Sequence, residues 1–221
     1  MSYGLRVAVI DSDSYTREAR LLLLQSQPDI QVVFDSADPA AALEALPDYL
    51  VDVVVLDARV PGFTIDKYVQ SLSDAFTTAG NSGRILVTAN FITPAFEFAC
   101  LSAGASAVVD GDRGAAAMLA SLRKTATNEV TLDTAAIQTI FQSLPSLPAP
   151  QANLALAIEK MDENQLEVLR LLLEGKTDTQ ISKDLGLTKY RVTKFIDTLT
   201  LSSGFRTRNQ LCIELVALGK L

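Results

Sequence analysis

The chain has 221 residues, 48% hydrophobic and 20% charged, with a formal net charge of −7, so it can hold two domains and is not disordered over most of its length. Histidine is absent and cysteine is limited to Cys100 and Cys212, which excludes His-based acid–base catalysis, Ser-His-Asp triads, His-ligated metals and a disulfide framework. Apolar runs fall far below the roughly 20 residues of a membrane span, and no basic-then-apolar leader is recognisable, so a cytoplasmic protein with no membrane partner is expected.

In chain order, strands are predicted at 5–10, 30–34, 51–56, 84–88 and 107–109, alternating with helices at 15–25, 39–46, 65–78, 94–103 and 115–126. Continuous apolar strands separated by helices call for a doubly wound α/β domain with a parallel sheet. Beyond it the pattern turns helical. A helix capped by Asp133 is expected to reach Leu144, followed by PSLPAP at Pro145 to Pro150, a semi-stiff spacer that cannot continue a helix. Helices are then predicted at 162–173, 177–185, 188–201 and 208–218, stopped by Gly175, Gly186, Gly204 and Gly219. The expected division is 1–126, 127–157 as linker helix and Pro-rich linker, and 158–221. Charge follows it: residues 1–150 hold 9 basic and 17 acidic side chains, whereas 151–221 hold 10 and 9.

The strands deliver polar residues to their carboxyl ends: Asp11-Ser12-Asp13, Asp57 ahead of Pro61-Gly62, Thr88-Ala89-Asn90 and Asp110-Gly111-Asp112. Ligands of an open α/β sheet bind at those ends, although a single Asp there is more often a turn or cap. If the strand order is 2-1-3-4-5, Asp11, Asp57 and Thr88 converge. Clustered carboxylates beside a hydroxyl suit a divalent cation and a phosphoryl group.

The segments RVAVIDSDSYTREARLLL, VVVLDARVPG, ILVTAN and AGASAVV resemble the receiver domain of bacterial two-component response regulators, over about the first 125 residues. The resemblance implies a flavodoxin-like fold in which Asp57 accepts a phosphoryl group from a histidine kinase. It also implies that Asp11 and Asp57 help hold Mg²⁺, that Asp13 joins the acidic pocket and that the Thr88 hydroxyl contacts the phosphoryl oxygen. Three positions depart from the family pattern. Ser12 replaces the second acid, no lysine stands just after strand five, the only ones before residue 150 being Lys67 and Lys124, and Val108 stands where an aromatic switch residue is usual. A neutral Ser12 oxygen is a poorer Mg²⁺ ligand than a carboxylate, and the missing lysine removes a charge-assisted contact worth about 1.5–3 kcal/mol. The expectation is an atypical receiver with weak or absent Mg²⁺, whose phosphorylation is weak, unnecessary or replaced by a protein or small-molecule input.

In the last third, Thr177 and Gln180 make a T-x-x-Q capping box, Ile181 and Leu185 share a face, Gly186 makes a turn and Thr188 caps the next helix. Helix, Gly-containing turn, helix is the helix-turn-helix pattern. From 188 to 208 the charges are Lys189, Arg191, Lys194, Arg206 and Arg208 against Asp197, a local +4, as a groove-inserted element requires. The GKT at 175–177 lacks the earlier glycine and preceding strand of a phosphate loop.

This region is similar to the LuxR-type helix-turn-helix through Glu167-Val168-Leu169, Gly175, Ile181, Leu185-Gly186, Thr188, Val192, Gly204, Arg206 and Gln210. Glu163, Thr193 and Phe195 depart from it. With the receiver, the chain resembles a NarL/FixJ-type response regulator. That resemblance implies a homodimer on double-stranded DNA, with Thr188, Lys189, Tyr190, Arg191, Thr193, Lys194, Arg206 and Arg208 toward DNA. Leu211, Leu215 and Leu218 are the candidate dimer contacts or, equally, core. Two other readings remain: a haloacid-dehalogenase-like phosphatase using Asp11 and Asp13, which lacks the required lysine before its last acidic motif, and an interaction module that does not bind DNA.

Overall fold

The computed structural model describes residues 4–127, 132, 134–143 and 152–219, in two compact units that divide between Thr127 and Asn128.

The first unit is a five-stranded parallel sheet of β1 (Leu5–Ile10), β2 (Ile30–Ser36), β3 (Val53–Asp57), β4 (Arg84–Ala89) and β5 (Ala107–Asp110). The strand order is β2-β1-β3-β4-β5, the doubly wound topology expected from the sequence. All five residues of β3 are buried, because both faces of a central parallel strand lie under helices. The helices are α1 (Ser14–Gln25), α2 (Pro39–Ala45), α3 (Ile65–Thr78), α4 (Pro94–Ser102) and α5 (Gly114–Ala126). Val7, Val9, Val53, Val55 and Leu86 form one core with Leu24 of α1 and Met118, Leu119 and Leu122 of α5. On α3 the buried residues Tyr68, Val69, Leu72 and Phe76 recur at helical spacing, and the Tyr68 hydroxyl donates to the Pro39 carbonyl at 2.9 Å. Arg6 grips Asp52 at 2.7 and 3.1 Å, tying the start of β1 to the segment entering β3.

The second unit is helical: α6 (Thr134–Ser143), α7 (Ala152–Ile158), α8 (Glu163–Leu173), α9 (Asp178–Asp184), α10 (Lys189–Ser202) and α11 (Arg208–Leu218). The predicted linker helix is α6, and it packs on α11, burying Ile137 and Ile140. Its expected Asp133 cap and the Pro145 to Pro150 spacer lie outside the described residues. Helix α7 was not predicted; Leu154 and Ile158, one turn apart, are its buried pair. Capping boxes open α8 (Asp162, Gln165), α9 (Thr177, Gln180) and α11 (Thr207, Gln210). Between α9 and α10 the chain turns at Gly186 with φ +64°, a left-handed conformation that glycine adopts without a Cβ clash. Among the described residues no helix is long and apolar enough to cross a membrane.

Candidate functional site

At the carboxyl end of the sheet, Asp57 pairs in register with Thr88 across β3 and β4, and Asp11 leaves the end of β1, which lies beside β3. All three are buried. The convergence expected from the strand order is therefore present. What fills the space between the acids was not foreseen. Arg20, on α1, reaches both carboxylates: Nη1 donates to Asp11 Oδ2 at 2.7 Å and Nη2 to Asp57 Oδ2 at 2.9 Å. The other Asp57 oxygen accepts from the Arg59 backbone N–H at 3.0 Å and from its Nε at 2.9 Å.

Two carboxylates and two guanidiniums leave the pocket with no net charge. Burial pushes the Asp57 carboxyl up, but the hydrogen bonds from Arg59 and Arg20 outweigh it and hold the group below its ordinary value. At Asp11 burial dominates and the carboxyl is raised despite Arg20. The depressed Asp57 favours the folded state in full above the ordinary carboxylate range, and this contribution is lost as pH falls through the folded value. Asp11 works in the opposite sense. Asp57→Asn is therefore expected to be less stable than wild type at neutral pH, with the gap narrowing below about pH 4, as followed by denaturant titration at several pH values. A gap independent of pH would contradict the charged clamp.

Other predicted pocket residues are placed differently. Asp13 is the N-cap of α1, its Oδ1 accepting from Thr16 N at 2.9 Å and Thr16 Oγ1 at 2.6 Å, while its backbone N–H donates to Asp11 Oδ1 at 3.0 Å. The Thr88 hydroxyl donates to the Leu56 carbonyl at 3.3 Å, so it is used inside the sheet. Ser12 Oγ donates to the Arg59 carbonyl at 3.2 Å. Past β5, a Cβ on Gly111 would lie 2.6 Å from Asn90 Oδ1, so a longer side chain there would displace Asn90.

The Mg²⁺ implied by the receiver resemblance does not fit this arrangement. A hard cation needs several free oxygens, whereas Asp11 Oδ2 and both Asp57 oxygens are engaged by arginines. Among the described residues no three acidic, Cys or His groups gather in a way that could hold a metal ion.

In the helical unit, Lys189, Tyr190, Arg191 and Lys194 are exposed on the first half of α10. Thr188 is the N-cap, its Oγ1 accepting from Arg191 N. The Lys194 ammonium sits 5.7 Å from the Tyr190 ring centroid, a cation–π spacing. Arg206 is half-buried.

Two predicted DNA contacts are instead structural. Arg208 is buried and donates to Asp178 Oδ1 at 2.5 Å, Asp178 Oδ2 at 3.1 Å and Asp197 Oδ1 at 3.0 Å. The Thr193 hydroxyl also donates to Asp178 Oδ2. This network joins the first turn of α9, the middle of α10 and the start of α11. It consumes Arg208 from the local +4, but it also turns Asp197, the acid of α10, toward Arg208. The predicted contacts Leu211 and Leu215 are buried in the unit's core at 0% and 1% exposure, which withdraws them from a dimer surface; Leu218 is half-buried.

No protein-family model matches the chain. Among curated proteins it is similar to the transcriptional regulatory protein LiaR of Bacillus subtilis, 24% identical over 90% of this chain and 92% of that one. The DNA-binding transcriptional activator DevR/DosR of Mycobacterium tuberculosis is 22% identical over 95% of this chain and 93% of that one. Among solved structures, the receiver domain of the response regulator NarL from Mycobacterium tuberculosis is 26% identical, with a TM-score of 0.51, over 57% of this chain and 98% of that one. Similarity along both units, together with the β2-β1-β3-β4-β5 sheet and the helix-turn-helix, supports a response regulator of the NarL/LuxR type.

Proposed function

We propose that the chain is a DNA-binding transcriptional regulator that acts as a homodimer, reading the major groove with α10, and that its receiver governs dimerisation without conventional phosphorylation. The observation that carries the DNA half is the exposed basic start of α10, Lys189, Arg191 and Lys194 with Tyr190 between them, in a chain whose overall charge is −7. Recognition helices meet base edges with their N-terminal residues, while basic side chains fix the register on phosphates. Similarity to LiaR and DevR/DosR supports this assignment.

The receiver half rests on the Arg20 and Arg59 clamp. Phosphorylating Asp57 would break charge-assisted hydrogen bonds, each worth about 1.5–3 kcal/mol, and the residues just after β5, Gly111-Asp112-Arg113, include no lysine to contact the new phosphoryl group. Phosphodonor supply is accordingly dispensable, and the input is a protein or small molecule acting on the receiver.

Binding of the full chain to random-sequence duplex, measured across a salt series, tests the DNA half. Affinity should fall linearly in log–log form with rising salt, because bound phosphates release counterions. A flat response would favour the interaction-module reading.

A further inference from the structure

We infer that Arg20 is the resident cation of the receiver pocket: its guanidinium occupies the place of a divalent metal between Asp11 and Asp57, and the pocket takes up such a metal only once that side chain is removed. The inference deepens the phosphorylation-independent reading above and rests on it.

The geometry is that of a bridge. One guanidinium edge divides its two terminal nitrogens between two carboxylates that come from different strands, at 2.7 and 2.9 Å. The Arg20 side chain is 12% exposed and the two acids 0% and 7%, so the bridge is shielded from solvent and salt. The Arg59 side chain is 65% exposed and reaches only Asp57 among these acids, so it does not substitute for the bridge. The nearby Ser12 hydroxyl donates to the Arg59 carbonyl at 3.2 Å, and neither is a charged ligand that could replace the two carboxylates.

A planar guanidinium matches carboxylates as a fork and stays protonated at any physiological pH. It therefore supplies permanently the positive charge that a soluble metal would supply only when bound. A metal ion entering this space would have to displace Arg20 from two buried carboxylates and would meet its charge at close range. Removing the side chain instead leaves Asp11 without a charge partner and Asp57 with Arg59 alone, two buried carboxylates facing one space, which is an unstable arrangement unless a cation enters.

The test uses the full-length chain and Mn²⁺ as the probe, with uptake read from the loss of the free-ion electron paramagnetic resonance signal. Wild type is expected to take up no Mn²⁺ at the pocket in the millimolar range. Arg20→Met should bind one ion per chain at least about tenfold more tightly, and adding Asp57→Asn should abolish that binding. Arg20→Met is also expected to melt earlier than wild type and to recover with added Mn²⁺, since a ligand that binds only the folded state raises the midpoint. Wild type should show no such rise.

Asp57-dependent uptake of Mn²⁺ by wild type would overturn the assignment, as would a folded Arg20→Met that refuses the ion. If Arg20→Met does not fold even with Mn²⁺, the wild-type titration decides alone, refusal supporting the assignment and uptake overturning it. Failure here is separable from failure of the functional reading. A wild type that binds Mn²⁺ yet ignores phosphodonor loses only the Arg20 assignment, whereas dimerisation driven by phosphodonor overturns the reading beneath it.

Discussion

Asp178→Ala is expected to destabilise the helical unit by about 3 kcal/mol, because removing one partner of a buried ion pair leaves the other charge uncompensated. Arg208, at 6% exposure, would keep only Asp197, and the Thr193 hydroxyl would lose its acceptor. The loss is a large share of the roughly 5–15 kcal/mol that holds a domain folded. Native-state hydrogen exchange resolves it by region. Amides of α8, α9, α10 and α11 should lose about two orders of magnitude of protection, while those of β1, β3 and β4 keep theirs. Unchanged protection in α10 would mean that the network does not hold the recognition helix. The conservative Asp178→Asn, which retains an acceptor for Thr193, should fall between the two.

Neutralising Lys189, Arg191 and Lys194 together by alanine is expected to cost roughly 10²–10³ in duplex affinity at moderate salt. The slope of log affinity against log salt should become shallower by about 2.7, the value for three phosphate contacts at about 0.9 each. All three side chains are exposed, so the fold should persist, as hydrogen exchange can verify. A triple variant with the wild-type slope would remove α10 from the interface. Arg208→Ala, by contrast, should act on stability first, since its guanidinium is committed to Asp178 and Asp197.

The sheet order was readable because strands such as VVVLD are apolar throughout and the intervening segments carry helical spacing, and the observed β3 ends on Asp57 itself. Convergence of Asp11, Asp57 and Thr88 followed from the order alone. Their hydrogen bonds did not, since Arg20 meets Asp57 across 37 positions. A local signal existed, however. Leu24 is the buried residue of α1, and Arg20 lies one turn before it on the same face, so the guanidinium points toward the sheet rather than toward water.

The capping role of Asp13 was also legible: an Asp directly before a helix, with its carboxylate accepting from the N–H three residues on, is an ordinary N-cap. The sequence of α11 gave Leu211 and Leu215 the i,i+4 spacing of either a core or an interface, and only the packing decides for the core. The pairing of Arg208 with Asp178, 30 positions away, had no local signature. Arg208 was expected toward DNA and Arg20 had no assigned role, and both prove to be held by buried acids.

In the function proposed above, the receiver pocket is already neutralised by arginine and output does not wait on a phosphoryl group. Its most direct measurement is the sedimentation and duplex affinity of the full chain with and without a small-molecule phosphodonor and Mg²⁺. Both quantities should be unchanged by the donor, with no stoichiometric label on Asp57. Stoichiometric labelling that Asp57→Asn abolishes, accompanied by dimerisation and tighter DNA binding, would contradict the account.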